Sequence, residues 1–274
     1  MEYEEAINIQ YGQKNLVDKI LDTLKSEGIN TAEMVRNSFA PIEELHLLGN
    51  IATLELAQEV GLNEKMKILD VGCGIGGPAR TLVSNFGCHV TGLDLSKEYC
   101  QAANLINKYV GLSDMIKIQQ GNALDMPFSD AIFDVVFLQH VLMNIADKER
   151  LFSQIKRVLR SKGRLALYTI CAGDISPINY PVIWANSAEI NFLLPAIKLR
   201  NFINNNGFKE ISWKDHTEEI IKTIDFQRTK ARPKKKPPIN LGLIIMEPSL
   251  KWKNLVLNLK EGRIVVIQGI FERN

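Results

Sequence analysis

A glycine-rich stretch follows an apolar segment in the first third of the chain and has the composition of a ligand-binding loop. Residues 68–77 read ILDVGCGIGG, with Gly72, Gly74 and Gly76 at the turn between a predicted strand and a predicted helix. Glycine lets the backbone turn tightly there and approach a bound molecule without a Cβ in the way. The stretch also fits the dinucleotide pattern G-x-G-x-x-G through Gly72, Gly74 and Gly77, so the glycines alone do not identify the ligand.

An acidic residue before the loop distinguishes between two nucleoside ligands. Asp70 stands two residues before the first glycine, near the helix N-terminus where a dinucleotide would place its anionic pyrophosphate. A carboxylate there repels that anion and attracts a ligand that carries an ammonium and a sulfonium group. The loop therefore predicts a site for S-adenosylmethionine and argues against a nicotinamide-dependent oxidoreductase.

Further polar residues stand where other predicted strands end. Asp94 closes the segment HVTGLD, where an acidic side chain can accept hydrogen bonds from both ribose hydroxyls. The amide of Asn122, in GNA after the third strand, can both donate to and accept from an adenine ring. Gln139 and His140 end the strand FDVVFL, at the carboxyl edge where open α/β sheets bind their ligands.

The composition is that of a globular protein with little net charge. The chain has 274 residues, 46% of them hydrophobic, and a formal net charge of +2. This balance provides no global attraction for nucleic acid, and no apolar run reaches the roughly 20 residues of a membrane span. The N-terminus lacks the apolar core of a signal peptide, and the four cysteines have the sparse spacing of free thiols. We therefore expect a cytoplasmic protein.

From Lys67 onward, short apolar runs alternate with helical stretches, which predicts βαβ units and a parallel sheet. Residues 1–62 are predicted to be a helical cap, in which a helix near 49–61 turns Ile51, Leu54 and Ala57 to one side. The remainder, 63–274, is predicted to be one domain with acceptor-pocket insertions at about 172–194 and 215–260. The basic, proline-rich stretch from Arg228 to Lys236 is typical of a solvated loop.

The sequence resembles the class I S-adenosylmethionine-dependent methyltransferases. The similar segments are LDVGCGIGGPARTL, VTGLDLS, GNALDMPF, FDVVFLQHVLMNIADKERLFSQIKRVLRSKGRLAL and EGRIVVIQGIFER. Within that group, GGPAR and the Gln-His-x-x-x-Asn pattern are most similar to the bacterial sarcosine/dimethylglycine and phosphoethanolamine N-methyltransferase-like branch. The resemblance implies a three-layer, Rossmann-like α/β fold. Its seven-stranded, mostly parallel sheet would have the order 3-2-1-4-5-7-6, with the last strand antiparallel.

The resemblance also implies a role for individual residues. Cofactor contacts are expected from Asp70, Gly72, Gly74, Gly76, Asp94, Leu95, Asn122, Ala123 and Gln139. Acceptor contacts are expected from Asn144, Tyr180 and Trp184, and candidate catalytic groups are His140, Tyr11 and His46. Two positions depart from the family pattern. Many relatives have Asp in place of Asn122, and the phosphoethanolamine enzymes have His in place of Asn144, so no histidine relay is predicted at that position.

The leading hypothesis is methyl transfer from S-adenosylmethionine, with release of S-adenosylhomocysteine, to a small-molecule acceptor that is most plausibly an amine. One alternative is an O- or C-methyltransferase acting on a lipid, quinone or polyketide-like acceptor. Another is a non-catalytic, cofactor-binding partner subunit. We expect no metal, no nucleic acid, no integral membrane contact and a possible homodimer.

Overall fold

The computed structural model describes residues 11, 15–30, 34–44, 46–229 and 238–274. Residues 1–10 of the predicted cap and residues 230–236 of the basic stretch lie outside the described residues. The helices are α1 Leu16–Ser26, α2 Asn50–Val60, α3 Gly77–Phe86, α4 Lys97–Tyr109, α5 Lys148–Val158, α6 Ala196–Asn205, α7 Thr217–Thr229 and α8 Pro248–Lys260. The strands are β1 Lys67–Val71, β2 His89–Asp94, β3 Ile116–Gln120, β4 Phe133–Gln139, β5 Leu159–Ala172, β6 Phe208–Asp215 and β7 Ile264–Arg273.

The strands form one seven-stranded sheet in the order β3-β2-β1-β4-β5-β7-β6. Strands β1 to β5 pair in parallel, whereas β7 is antiparallel to both β5 and β6. The predicted fold class and strand order are therefore confirmed. Helices cover both faces of the sheet: α2, α3, α7 and α8 contribute to one buried apolar cluster, and α5 and α6 contribute to the other.

The strand order reverses direction between β1 and β4, which are neighbours in the sheet although β2 and β3 separate them in the chain. Crossovers on the two sides of this point leave a crevice at the carboxyl ends of the strands. The loops after β1, β2 and β4 all open at that edge. The topology thus brings together the loops that carry the predicted site residues.

The buried face of helix α2 matches the apolar side expected from the sequence only at Ala57. Its buried residues are Ala52, Thr53, Leu56, Ala57 and Val60, whereas Ile51 is 52% exposed. Small side chains at the contact let this helix approach the core closely, and an apolar residue on the other side stays in solvent. The sequence pattern therefore identified the helix but not the face that packs.

The chain between β6 and β7 contains two helices that were predicted only as an insertion. Their apolar residues Ile220, Ile224, Leu255 and Leu259 are buried in the core cluster on the same face of the sheet as α2. By contrast, residues 173–195 contain only a short 3₁₀ turn, Ala188–Ile190, and isolated bridges. This long, irregular segment agrees with the predicted loop.

A buried ion pair joins the segment before α2 to the start of α3. Arg80 is fully buried, and its Nε donates to Glu43 Oε1 at 2.6 Å while its Nη1 donates to Ile75 O at 2.9 Å. Glu43 ends a one-turn helix, Ala40–Glu43, whose backbone lies against Gly77. A Cβ on Gly77 would lie 1.7 Å from Glu43 O, so only glycine allows this approach. The glycine loop and the cap segment are therefore held together directly.

We predict that Arg80→Leu lowers the free energy of unfolding by about 3 kcal/mol, because it removes the fully buried partner of the Glu43 carboxylate and leaves only the partly exposed Arg36. Urea denaturation monitored by circular dichroism measures the change. The control is Lys222→Leu, which removes the exposed pair between Lys222 and Glu218 and should cost about 0.5 kcal/mol or less. Equal decreases in the free energy of unfolding of the two variants would show that apolar packing alone docks the cap segment.

Candidate active site

A cavity opens at the carboxyl edge of the sheet and encloses about 1450 Å³, open solvent at its mouth included. Its lining extends from the glycine loop and the end of β2 to the cap and the loop after β5, so one cavity reaches both the predicted cofactor residues and the predicted acceptor residues. Most of the predicted site residues line it: Tyr11, His46, Gly72, Gly74, Asp94, Leu95, Asn122, Ala123, Gln139, His140, Asn144 and Trp184. Asp70, Gly76 and Tyr180 are not among the lining residues.

The glycine loop forms one wall of the cavity through its first and second glycines. Gly72 has a φ of +70°, and a Cβ there would lie 2.3 Å from Val141 Cγ2, so a larger residue would collide with the segment after β4. Around Gly74, in contrast, no atom lies within 4 Å of a built Cβ, and this residue borders the open space. The loop therefore presents bare backbone to a ligand, as a nucleoside cofactor requires.

Asp94 organises the cofactor end of the cavity. Its Oδ2 accepts a hydrogen bond from Gly74 N at 2.8 Å, and its Oδ1 accepts one from Ser96 N at 2.9 Å. A carboxylate has about four acceptor positions, so it can take these bonds and still accept from ribose hydroxyls. Nearby, Asn122 Oδ1 accepts from Leu124 N at 2.8 Å. The Asn122 side chain thus stabilises its own turn, and the carbonyl oxygen predicted to face adenine is already engaged.

Asp70 lies at the end of β1, only 1% exposed, and the structure places it behind the cavity wall instead of at the mouth of the turn. Its Oδ2 is buried and finds no hydrogen-bond partner among the described residues. Burial and the neighbouring carboxylates of Glu44 and Asp94 raise the pKa of Asp70 to about 8. An unpartnered acid beneath this loop fits a cationic ligand, which would stabilise its ionised form.

The cap reaches the acceptor end of the cavity through Tyr11. Its hydroxyl donates to Asn144 Oδ1 at 2.7 Å, and its ring meets the edge of Tyr99 with centroids 6.3 Å apart. Asn144 in turn donates to Trp184 O at 2.8 Å and to Ile190 O at 3.2 Å. Asn144 therefore ties the cap to the loop after β5. Helix α5 is capped instead by Asp147, whose side chain accepts from Arg150 N.

His46 is held by a buried polar network at the base of the cap. Its Nε2 lies 2.9 Å from Gly49 O and 3.2 Å from Glu44 Oε2, while Gln139 Nε2 donates to Thr53 Oγ1 at 3.0 Å within the same network. Burial raises the pKa of the Glu44 carboxyl. Hydrogen bonds with His46, Thr81 and Thr53, together with the charge of His46, outweigh this effect and hold the pKa below its usual value. Glu44 is thus a buried carboxylate that keeps its charge and fixes the orientation of His46.

His140 has the features of a strained functional residue. It adopts a φ of +51°, which is uncommon for a residue other than glycine and costs conformational energy. Its ring stacks on Tyr168 with centroids 5.1 Å apart and lines the cavity, while its Nε2 is buried without a partner among the described residues. Burial and the nearby His46 hold the pKa of His140 well below its usual range. The imidazole is therefore neutral at pH 7.

Tyr180, a predicted acceptor contact, lies beside the cavity lining and not in it, and its side chain bonds to Asn191, which also accepts from Trp184 Nε1. The Tyr180 ring packs against the core cluster beside α8, so the long loop contributes Ile183 and Trp184 to the cavity but not Tyr180. Sequence reasoning also missed three apolar lining residues from distant elements, Ile170, Trp252 and Leu255. The only signal for the last two was an apolar, tryptophan-containing run in a segment assigned to an insertion.

The family comparison agrees with this geometry. The model of a methyltransferase domain family matches residues 69–167, from β1 through most of β5. This match places a methyltransferase domain in the chain, and the segment is similar to the class I S-adenosylmethionine-dependent methyltransferases. The matched segment contains the glycine loop, Asp94, Asn122 and His140. The cap and the helices between β6 and β7 lie outside it.

The relatives of this methyltransferase use different kinds of acceptor. A sterol 24-C-methyltransferase of Gibberella zeae is 40% identical over 120 residues, which are 44% of this chain and 32% of that protein. A sarcosine/dimethylglycine N-methyltransferase of Halorhodospira halochloris is 31% identical over 159 residues, 56% of this chain and 55% of that protein. The chain thus spans about half, or less, of the length of these relatives.

A solved structure shows the same fold over the whole chain. The geranyl diphosphate C-methyltransferase of Streptomyces coelicolor superposes with a TM-score of 0.70 at 19% identity and covers 100% of this chain and 99% of that one. Among the residues that the structure describes, no helix meets the length and apolarity needed to cross a membrane. No cluster of three or more candidate metal ligands is found within the described ranges either.

We predict that Asp70→Asn weakens binding of S-adenosylhomocysteine at least tenfold, because a charge-assisted interaction with the ammonium group contributes about 1.5–3 kcal/mol. In the wild type, binding near pH 7 should release protons, since the ligand favours the ionised carboxyl, and affinity should increase from pH 6 to 7.5. Titration calorimetry in buffers of different ionisation enthalpy measures both effects. Asp114→Asn, at an exposed turn, is the control.

The same variant should be more stable than the wild type in the absence of ligand. A carboxyl whose pKa is raised on folding destabilises the protein progressively as pH increases from about 4 to 8. Asn stays neutral, so the thermal midpoint of Asp70→Asn should exceed that of the wild type at pH 8, and the difference should shrink at lower pH. Unchanged affinity and proton release would contradict the role assigned to Asp70.

Proposed function

We propose that this chain transfers a methyl group from S-adenosylmethionine to a small, largely apolar acceptor that carries no acidic group. The cofactor end is the polar half of the cavity, with the glycine loop, Asp94 and the buried Asp70. The opposite half is walled by Ile170, Ile183, Trp184, Trp252 and Leu255. A cavity of this composition removes apolar acceptor surface from water, which favours binding by about 25 cal/mol per Å².

The charge of the lining residues carries this proposal. Within the described ranges, the lining residues include two acidic ones, Asp94 and Glu43, the latter paired with Arg80 and Arg36, but no lysine or arginine. A carboxylate or phosphate on the acceptor would lose its hydration there without gaining a cationic partner. The lining therefore disfavours amino acids such as sarcosine and phosphorylated amines such as phosphoethanolamine. The apolar acceptor was an alternative in the sequence analysis, and the lining residues now favour it.

An amine without an acidic group is the second candidate. Tyr11, Trp184 and Trp252 all line the cavity, and aromatic faces attract an ammonium group by a cation–π interaction of about 0.5–2 kcal/mol. Such an acceptor preserves the N-methylation hypothesis of the sequence analysis. It differs from the sarcosine-type amines only in lacking the carboxylate.

The residues of this chain act by positioning, by excluding water and by accepting a proton. S-adenosylmethionine, when bound, supplies an activated methyl group on a sulfonium that is its own leaving group. The glycine loop and Asp94 would hold its nucleoside half, and Tyr11, tied to Asn144, closes the cap over the acceptor end. Alignment of acceptor and methyl group is an orientation effect that can contribute about 7–11 kcal/mol. His140, neutral at pH 7, is the group placed to take the acceptor proton.

The proposal is tested with an acceptor panel and an assay for S-adenosylhomocysteine formation. The panel contains neutral phenols and isoprenoids, simple aliphatic amines, and the acidic amines sarcosine, dimethylglycine and phosphoethanolamine. Turnover should be confined to acceptors without a carboxylate or phosphate. Preferred turnover of the acidic amines would overturn the proposed acceptor class. Binding of S-adenosylhomocysteine without turnover of any class would favour the non-catalytic, cofactor-binding alternative.

We predict that His140→Asn lowers kcat with an oxygen or carbon acceptor by about 10²-fold or more, since general-base catalysis contributes typically 10²–10⁴-fold. Asparagine tolerates the left-handed backbone of this position, so the fold should be preserved. Affinity for S-adenosylhomocysteine should stay within a few-fold of the wild type. His89→Asn, at an exposed position at the start of β2, provides the matched control. Unchanged kcat in His140→Asn would exclude His140 as the base.

A further inference from the structure

Three of the four histidines of the protein lie together with Tyr168. The rings of His46, His140 and Tyr168 form a triangle, with centroids 5.8 Å apart between His46 and His140, 5.9 Å between His46 and Tyr168 and 5.1 Å between His140 and Tyr168. His216 follows on the other side of Tyr168, with ring centroids 6.3 Å apart, so the four rings form a row that is two rings wide at its His46–His140 end. The fourth histidine, His89, is exposed at the start of β2. Residues from the cap, β4, β5 and the end of β6 thus converge in a row of titratable rings.

The row connects the cavity with the protein surface. His46 and His140 line the cavity, and Tyr168 is fully buried beneath them on β5. At the far end, His216 Nδ1 lies 2.8 Å from Glu219 Oε2, and the Glu219 side chain is 56% exposed. The row therefore begins at the reaction space and ends at a carboxylate in contact with solvent.

Several polar atoms along the row are buried and find no hydrogen-bond partner among the described residues. They are His140 Nε2, Tyr168 Oη, His216 Nε2 and Gln268 Oε1. Gln268 faces Tyr168 across the antiparallel β5–β7 pair, so these two side chains lie on the same face of the sheet. Buried polar atoms are normally satisfied, and ordered water is the usual partner where protein offers none. The row therefore places buried polar atoms within an otherwise apolar layer of the core.

The packing of this layer does not require these polar atoms. Ile170 and Val266, on the same strands and in the same buried cluster, fill the layer without polar atoms. Leaving a buried polar atom unpaired costs about 1–3 kcal/mol, whereas Phe at position 168 would fill the same shape without that cost. A chain of tyrosine, histidine and water is, however, a suitable medium for moving a proton.

We propose that His140, Tyr168 and His216 form the route by which the proton displaced from the acceptor leaves the cavity for solvent at Glu219. The inference rests on the proposed function. In methyl transfer, the acceptor lone pair forms the new bond to the methyl carbon, and the electron pair of the broken S–C bond stays on sulfur. The acceptor X–H proton is released, one for each methyl group transferred. With cofactor and acceptor bound, the mouth of the cavity is occupied, so a second exit is useful.

The charges around the row favour movement of a proton along it. Burial and the carboxylates of Glu55 and Glu219 raise the pKa of Tyr168, so the phenol stays neutral and relays a proton by accepting one and donating another. Gln268 Nε2 donates to Glu59 Oε2 at 2.6 Å, and Lys214 Nζ pairs with the Glu59 carboxylate at 3.0 Å. These groups carry a net negative charge around Tyr168, which stabilises a proton that moves along the row.

The experiment measures hydrogen exchange of the His140 ring N–H with solvent by NMR. The protein carries ¹⁵N-labelled histidine and is saturated with S-adenosylhomocysteine. Tyr168→Phe keeps the shape of the side chain and removes the relay hydroxyl, and it should slow exchange of the His140 ring proton at least tenfold. His216→Gln interrupts the row nearer the surface and should have the same effect. Tyr109→Phe and His89→Gln, both away from the row, should leave the exchange rate unchanged.

Unchanged His140 exchange in both row variants would overturn the route and show that the proton reaches solvent through the cavity mouth. His216→Gln decides the question if Tyr168→Phe does not fold. The proposed function fails by a separate outcome, if the wild type does not bind S-adenosylhomocysteine. In that case no acceptor proton is released, and the route is rejected together with the proposed function.

Discussion

The buried ion pair between Arg80 and Glu43 is the contact on which the rest of the site depends. It joins the first turn of α3, directly after the glycine loop, to the one-turn helix of the cap, and the two backbones touch at Gly77. The cap supplies Tyr11 and His46 to the cavity, so this pair determines where the acceptor end is closed. Because neither ion can reach water, the pair is stable only while both segments stay docked.

The distribution of charge divides the cavity into two chemically different halves. The cofactor end has an excess of carboxylates, Asp70, Asp94 and Glu44, and burial makes their mutual repulsion strong. An acidic group without a partner destabilises the ligand-free protein, and that cost is recovered when a cation binds. The acceptor end is apolar and, among the described lining residues, has no basic group. The domain therefore binds a positively charged donor at one end, and the acceptor that we propose for the other end is one without an acidic group.

The row of rings beneath the cavity also contains groups that lower the stability of the fold. A buried tyrosine hydroxyl and two buried imidazole nitrogens without protein partners reduce stability in a layer that isoleucine and valine could fill. Backbone strain at His140 lowers stability as well, because its φ lies in the left-handed region at the end of β4. Destabilising features of this kind concentrate at functional sites, where binding or chemistry compensates for them.

The sequence by itself determined the sheet, its strand order through the family resemblance, and the loops that form the cofactor end. These features are local: a strand, a glycine turn and a polar residue at a strand end are each encoded within about ten residues. The buried face of α2, the position of Tyr180 beside the cavity lining and the contribution of Trp252 were decided only by the tertiary structure. So were the Arg80–Glu43 pair and the row through Tyr168. Each depends on how elements far apart in the chain pack, and periodicity within one element does not specify which neighbour will cover it.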